Sequence, residues 1–256
     1  MPGEKTTLII LDVHPWRESS FLVYCFSHAH GLLHCLAKGI RRAKKTGTVI
    51  ERGSIVEALV YSKPGRELHT LGSIQPALFF KSIRTDLGKS ALRDVAFEIM
   101  LKSVRDPDPH PELYDALIGL LTELNASEPA TIFPFALWRW IDVHVRLLGY
   151  GIDTRICARC GADHLAQTGG TLHYERGAIV CSTCSEPGPA RYLPPASLRV
   201  LGANKIDERV VKREIAAAHA LRITRLLIGY CGHHFEFRAE AASLAFLEDV
   251  FGVCYG

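Results

Sequence analysis

A chain of 256 residues can form one large or two smaller folded domains, and a composition that is 48% hydrophobic and 22% charged is that of an ordinary globular protein. No run approaches the roughly eighteen apolar residues of a membrane span, and the four-residue apolar run before Asp12 is too short for a secretory leader, so we expect no membrane partner and a cytoplasmic location. The net charge of +3 is uneven: residues 1–82 carry 11 Lys and Arg against 6 Asp and Glu, while the rest is net −2, which points to an acidic partner for the first third.

Residues 6–82 predict short strands. "TTLIILDV", "SFLVYCFS", "GLLHCLAKG", "SIVEALVYS" and "RELHTLGSI" are rich in Val, Ile, Leu, Phe and Tyr, and His-Pro, His-Gly, Arg-Gly and Pro-Gly pairs punctuate them. Five strands in so short a stretch predict a small barrel, of which the OB fold is the common five-stranded form. From about residue 83 the period changes to helical. Leu113, Leu117, Leu120, Leu121 and Leu124 share one face, and Pro111 stands at the start of that helix. Residues 86–105, 131–149, 196–202, 206–231 and 238–251 also predict helices. The expected fold class is α+β: an N-terminal OB-fold β-barrel over 1–82, then an all-helical domain over 83–256 that carries a four-cysteine zinc-module insertion at about 152–190.

That insertion rests on four of the eight cysteines. Cys157 and Cys160, then Cys181 and Cys184, form two C-x-x-C pairs with twenty residues between them. Each tight turn presents two thiolates with backbone N–H groups free to bond them, and Gly161 supplies the positive φ such a knuckle needs. "TLHYERGAIVC" between the pairs predicts a hairpin. Cys25, Cys35, Cys231 and Cys254 are scattered, so a reducing compartment and one structural Zn2+ fit better than a disulfide framework. Four cysteines close the shell, whereas a catalytic zinc keeps one position for water, so no catalysis is expected there. His173-Tyr174-Glu175 followed by Cys181 and Cys184 has the letters of a zinc deaminase, but five residues are too few to join its two helices. Gly88-Lys89-Ser90 ends like a P-loop, yet Ile83 stands where the first glycine must be. Arg155, Arg159 and Arg176 are ordinary surface charge for a small module, with a second DNA or partner surface as the alternative.

The basic excess in the first third is concentrated in "AKGIRRAKKTG". Lys38, Arg41, Arg42, Lys44 and Lys45 stand within eight residues with no acid among them. Clustered cations neutralise successive phosphates, and an OB barrel adds aromatic faces on which bases stack. Trp16, Phe21, Tyr24, Phe26 and Tyr61 are available, at least half of them as core. Arg17, in the turn after Pro15, is expected to join the patch. Lys63 and Arg66 are weaker candidates. Trp138 and Trp140 are expected in the core, with partial exposure of one of them as the alternative, and His233 and His234 at a helix end rather than as ligands.

Together these residues resemble the bacterial recombination mediator family RecO. The resemblance is carried by Glu18, Phe26-Ser27, Gly31, Ala37-Lys38-Gly39 and Arg41-Arg42, then "DPDPHPELYDALIGLLTEL", "WRWIDVHVRLLGY" and "CARCG" with a second C-x-x-C, in that order. It implies binding of single- and double-stranded DNA and annealing of complementary strands. It also implies work with RecR, often RecF, to load RecA onto DNA coated by single-stranded DNA-binding protein, whose C-terminal tail docks on the helical domain, and a place at the nucleoid. One departure stands at "SHAHG", where His28 and His30 replace the basic residue of many members; imidazoles carry charge only in mildly acidic conditions. A zinc-stabilised protein–protein adaptor without direct DNA binding is the alternative function. Neither reading expects an enzyme.

Overall fold

The computed structural model describes residues 3–40, 50–62, 67–105, 108–127, 134–185, 191–203, 215, 217–237 and 242–255. They form two compact units, one of residues 1–85 with 100–125 and one of residues 86–99 with 126–256.

The first unit is built on a closed barrel in the order β1-β2-β3-β5-β4, formed by β1 (Glu4–Trp16), β2 (Ser20–Ser27), β3 (Gly31–Ala37), β4 (Ile55–Tyr61) and β5 (Leu68–Leu78). All neighbours are antiparallel except β3 and β5, which run parallel with Leu36 opposite Thr70. Alternation explains the interior. Leu8 and Ile10, Val23 and Cys25, Leu33, Cys35 and Ala37, and Val56, Ala58 and Val60 point inward at every second position and form one core with Leu71. Ile9 and Phe26 are paired across β1 and β2 on the other face, yet both are fully buried. A helix explains why: Phe26 stacks on Tyr114 with ring centroids 6.3 Å apart.

That helix is α3 (Pro111–Ala126), preceded by α1 (Lys81–Thr85) and α2 (Leu87–Ser103). The five leucines expected on its inner face are all buried. Its end is tied to α1 by the Ser82 N–H, which donates to Asn125 Oδ1 at 3.0 Å.

The second unit holds α4 (Phe135–Leu147), which buries one broad face that includes Trp138, Trp140, Ile141, His144 and Val145 and leaves Val143, Arg146 and Leu147 exposed. A helix with one broad apolar face lays that face on the core of its domain. Trp138 Nε1 donates to Thr224 Oγ1 at 2.9 Å on α7 (Ala217–His234). The remaining helices are α5 (Leu165–Thr168), α6 (Pro195–Leu201) and α8 (Ala242–Tyr255). The Ser243 hydroxyl of α8 donates to Glu98 on α2 at 2.6 Å. Of the helix expected over 206–231, α7 covers the C-terminal part and runs three residues further; 204–214 lie outside the described residues.

Between α4 and α6 stands a small antiparallel sheet, in the order β7-β6-β8, of β6 (Gly170–His173), β7 (Ala178–Cys181) and β8 (Tyr192–Leu193). The expected hairpin is β6–β7, closed by a 3-10 turn over Tyr174–Arg176 and by Gly177 at φ +57. The third strand, β8, has no alternating pattern in the sequence to announce it. It is two residues long and follows residues 186–190, which lie outside the described set.

Candidate metal centre and nucleic-acid interface

The two knuckles converge. The sulfurs of Cys157, Cys160, Cys181 and Cys184 all lie within 4.8 Å of one another, and Cys160 and Cys181 are 4.0 Å apart. A tetrahedral zinc at ~2.3 Å from each thiolate would separate the sulfurs by about 3.8 Å, so the donor set and spacing fit such an ion. The backbone builds each turn. Gly161, at the expected positive φ of +72, donates to Cys157 O at 2.9 Å, and Cys184 N donates to Cys181 O at 3.0 Å. The two knuckles are also bonded across the hairpin: Ala158 N donates to Ile179 O at 2.9 Å, and Cys181 N donates to Cys157 Sγ at 3.3 Å.

These bonds sort the thiols. Burial works against a charged Cys157, but the N–H groups of Cys181, Cys160 and Arg159 aimed at its sulfur overturn that and bring it down to about 6. A hydrogen bond from His164 also lowers the Cys181 thiol. Cys184 is pushed up to about 12, first by its hydrogen bond with Cys181 and then by Cys160 and burial. Four thiolates this close repel one another, so full deprotonation requires a cation among them. His164 is the supporting residue that sequence spacing does not reveal: it precedes α5 and reaches a cysteine seventeen positions away. Arg159 is another, donating from Nη1 to the carbonyl of Cys184.

The look-alike motifs take other places. His173 is exposed and Glu175 lies in the 3-10 turn, paired with Arg191 at 3.5 Å; neither joins the sulfur cluster. Lys89 is within α2, wholly buried, and donates from Nζ to the Ser127 carbonyl.

On the barrel, strand register decides where the cations go. Trp16 pairs with Ser20, and Phe21 pairs with Ala37. The turn holding Arg17 and the residue after β3, Lys38, therefore share one end of the β1–β2–β3 sheet. Arg17 and Lys38 are exposed, and Arg17 adopts a left-handed φ of +51 in its turn. Trp16 beside it is 43% exposed, the most open of the five aromatics considered for stacking; Tyr61 is 37% exposed, and Phe26 is buried. Arg41, Arg42, Lys44 and Lys45 follow Lys38 in the chain but lie outside the described residues, as do Lys63 and Arg66. His30 Nε2 lies 3.0 Å from Glu4 Oε1, and His28 meets Tyr114 edge-on at 5.5 Å.

Comparison with known families decides the assignment. The model for the Recombination protein O N-terminal domain matches residues 1–80, and that for its C-terminal domain matches residues 84–240. The chain belongs to the RecO family. Its relatives include the DNA repair protein RecO of Anaeromyxobacter dehalogenans, 28% identical over 98% of both chains. The DNA repair protein RecO of Nocardioides sp. is 26% identical over 94% of this chain and 97% of its own. That of Granulibacter bethesdensis is 30% identical over 74% of each. The five-stranded barrel at the N-terminus and the helical region with its four-cysteine cluster are consistent with the RecO fold. Among the described residues no helix is long and apolar enough to cross a membrane.

Proposed function

We propose that this RecO-family protein is a DNA-binding recombination mediator that anneals complementary single strands. With RecR, and with RecF, it would help load RecA onto DNA coated by single-stranded DNA-binding protein, whose C-terminal tail would dock on the helical domain. The observation that carries the reading is the end of the barrel where Arg17, Trp16 and Lys38 stand together, in a chain that matches the family models over both domains. Residues 1–82 act as the nucleic-acid-binding domain and 83–256 as the helical one. Arg17, Lys38, Arg41, Arg42, Lys44 and Lys45 contact phosphates of single- or double-stranded DNA. The protein works in the cytoplasm at the nucleoid and catalyses no covalent step.

Annealing needs no bond chemistry. Two strands repel through their phosphates, and a basic surface screens that repulsion while leaving the bases reachable, so backbone contacts suit the task better than base readout. The four cysteines hold one structural Zn2+, which ties two distant turns together. Its binding free energy is folding free energy for an insertion whose sheet buries few side chains of its own.

The test is annealing of two complementary oligonucleotides, each coated with single-stranded DNA-binding protein. The wild type is compared with the change of Arg41, Arg42, Lys44 and Lys45 to Ala. The wild type is expected to anneal and the variant to lose most of that rate while remaining folded. Equal rates would move the DNA site off the barrel. A wild type that binds no DNA would favour the protein–protein adaptor.

A further inference from the structure

The cysteine module has an outer face that borders the metal centre at Cys184 and holds none of the other three cysteines. Along β6 and β7, Leu172, Ile179 and Cys181 turn inward and are fully buried, while Thr171, His173, Ala178 and Val180 turn outward. Register places Thr171 opposite Val180 and His173 opposite Ala178. This outer face is the floor of an open depression of about 660 Å3, and Arg159 from the first knuckle, Arg176 from the 3-10 turn and Ser185 after the second knuckle stand around it.

We infer that this depression is a second binding surface for the phosphate backbone of single-stranded DNA, an inference that rests on the annealing function proposed above. Its charge is complementary to that ligand. Two guanidiniums and an imidazole line it, together with the hydroxyls of Thr171 and Ser185, and among the described residues no carboxylate does. The acid next to Arg176 in the chain, Glu175, faces Arg191 instead. Arg159 is held in place by its bond to the Cys184 carbonyl, and a guanidinium so fixed still has N–H donors for an anion. The floor decides between ligands. It offers the methyl groups of Thr171, Ala178 and Val180 beside the small His173 imidazole, with no Phe, Tyr or Trp ring as a platform for successive bases and no deep apolar hole for the anchor side chain of an acidic peptide. A surface of this kind holds a strand by its phosphates and leaves the bases free. Annealing requires two strands, and two backbone-binding surfaces let one molecule carry both.

The experiment uses the full chain, a fluorescent oligo-dT strand and a labelled poly-glutamate peptide. The variants are Arg176→Glu and the double change Arg159→Gln with Arg176→Glu. For the double variant, affinity for oligo-dT is expected to fall about five- to ten-fold. The slope of log affinity against log salt should become shallower by roughly 1.4, because each lost phosphate contact on a single strand removes about 0.7. Annealing should fall further than single-strand binding does. Retention of the metal is checked in each variant. Should the double variant lose it, Arg176→Glu decides alone, since Arg176 has no side-chain partner among the described residues; its slope should change by about 0.7. An unchanged slope and affinity would overturn the inference while leaving the annealing function standing. Weakened binding of poly-glutamate with DNA binding unchanged would overturn it in favour of a protein partner. A wild type that binds no oligo-dT would remove both this inference and the function on which it rests.

Discussion

His144 shows how packing, rather than residue type, sets the chemistry of a single side chain. It has no exposed surface, stacks on Trp140 with centroids 4.7 Å apart and meets Phe235 edge-on at 6.1 Å. Burial holds its imidazole down to about 3, against the ordinary 6.5. The folded protein thus keeps His144 neutral where the unfolded chain takes up a proton, and protons pull the equilibrium toward unfolding. Stability from this group is present above about pH 6.5 and is lost as pH falls toward 3. The loss should run at about 1.4 kcal/mol per pH unit below about pH 6, where the unfolded imidazole is charged. We expect urea unfolding between about pH 7 and pH 4 to show that excess slope for the wild type over His144→Phe, which keeps an aromatic ring but cannot titrate. Parallel curves would mean that the folded protein protonates His144 readily. Sequence alone does not separate His144 from the exposed His173. What distinguishes them is that His144 lies on the buried face of α4, one turn from Trp140, and only the helical spacing of Trp140, Ile141, His144 and Val145 hints at that.

At the level of elements, what was legible followed period and spacing. The C-x-x-C pairs announced two turns that meet, and the glycine after Cys160 announced its left-handed φ. Alternation in "GLLHCLA" gave β3, and the leucine stripe gave α3. What was not legible depended on partners distant in the chain. Strand β8 is two residues long and exists because β6 offers it an edge, with Thr171 opposite Tyr192. Strand β5 runs on through Pro76, beyond where its sequence pattern ends. It does so because β3 pairs with it only as far as Leu71, after which it pairs with β4 alone and a missing N–H is tolerated. The module itself has a thin core of Leu172, Ile179 and Leu193, so its order should depend on the metal. Hydrogen exchange before and after chelation is the check. We expect the Ala158 and Cys181 amides, which bond across the knuckles, to lose protection at least about ten-fold, while amides of the barrel strands keep theirs. Unchanged protection at Cys181 would show that hydrogen bonds hold the hairpin without an ion.

For the whole molecule, the uneven charge of the sequence acquires a location. The barrel's end gathers Arg17 and Lys38 because antiparallel pairing of β1, β2 and β3 brings the β1–β2 turn and the end of β3 to one side. Composition could report the excess of cations, but only the register could say which of them share a side. If those two act with Arg41, Arg42, Lys44 and Lys45, six phosphates are neutralised. Counterion release then gives a slope of log affinity against log salt of roughly −4 for a single strand, at about 0.7 per contact. Contacts on the helical unit would make it steeper. The change of Arg41, Arg42, Lys44 and Lys45 to Ala should flatten the slope by about 2.8, four contacts' worth, without altering the preference among sequences, because phosphates carry none. Oligonucleotide titrations between about 50 and 300 mM salt measure this. A wild-type slope shallower than about −2 would mean that few phosphates are engaged. Binding would then rest on stacking at Trp16, and Trp16→Ala, rather than loss of the lysines and arginines, should abolish it.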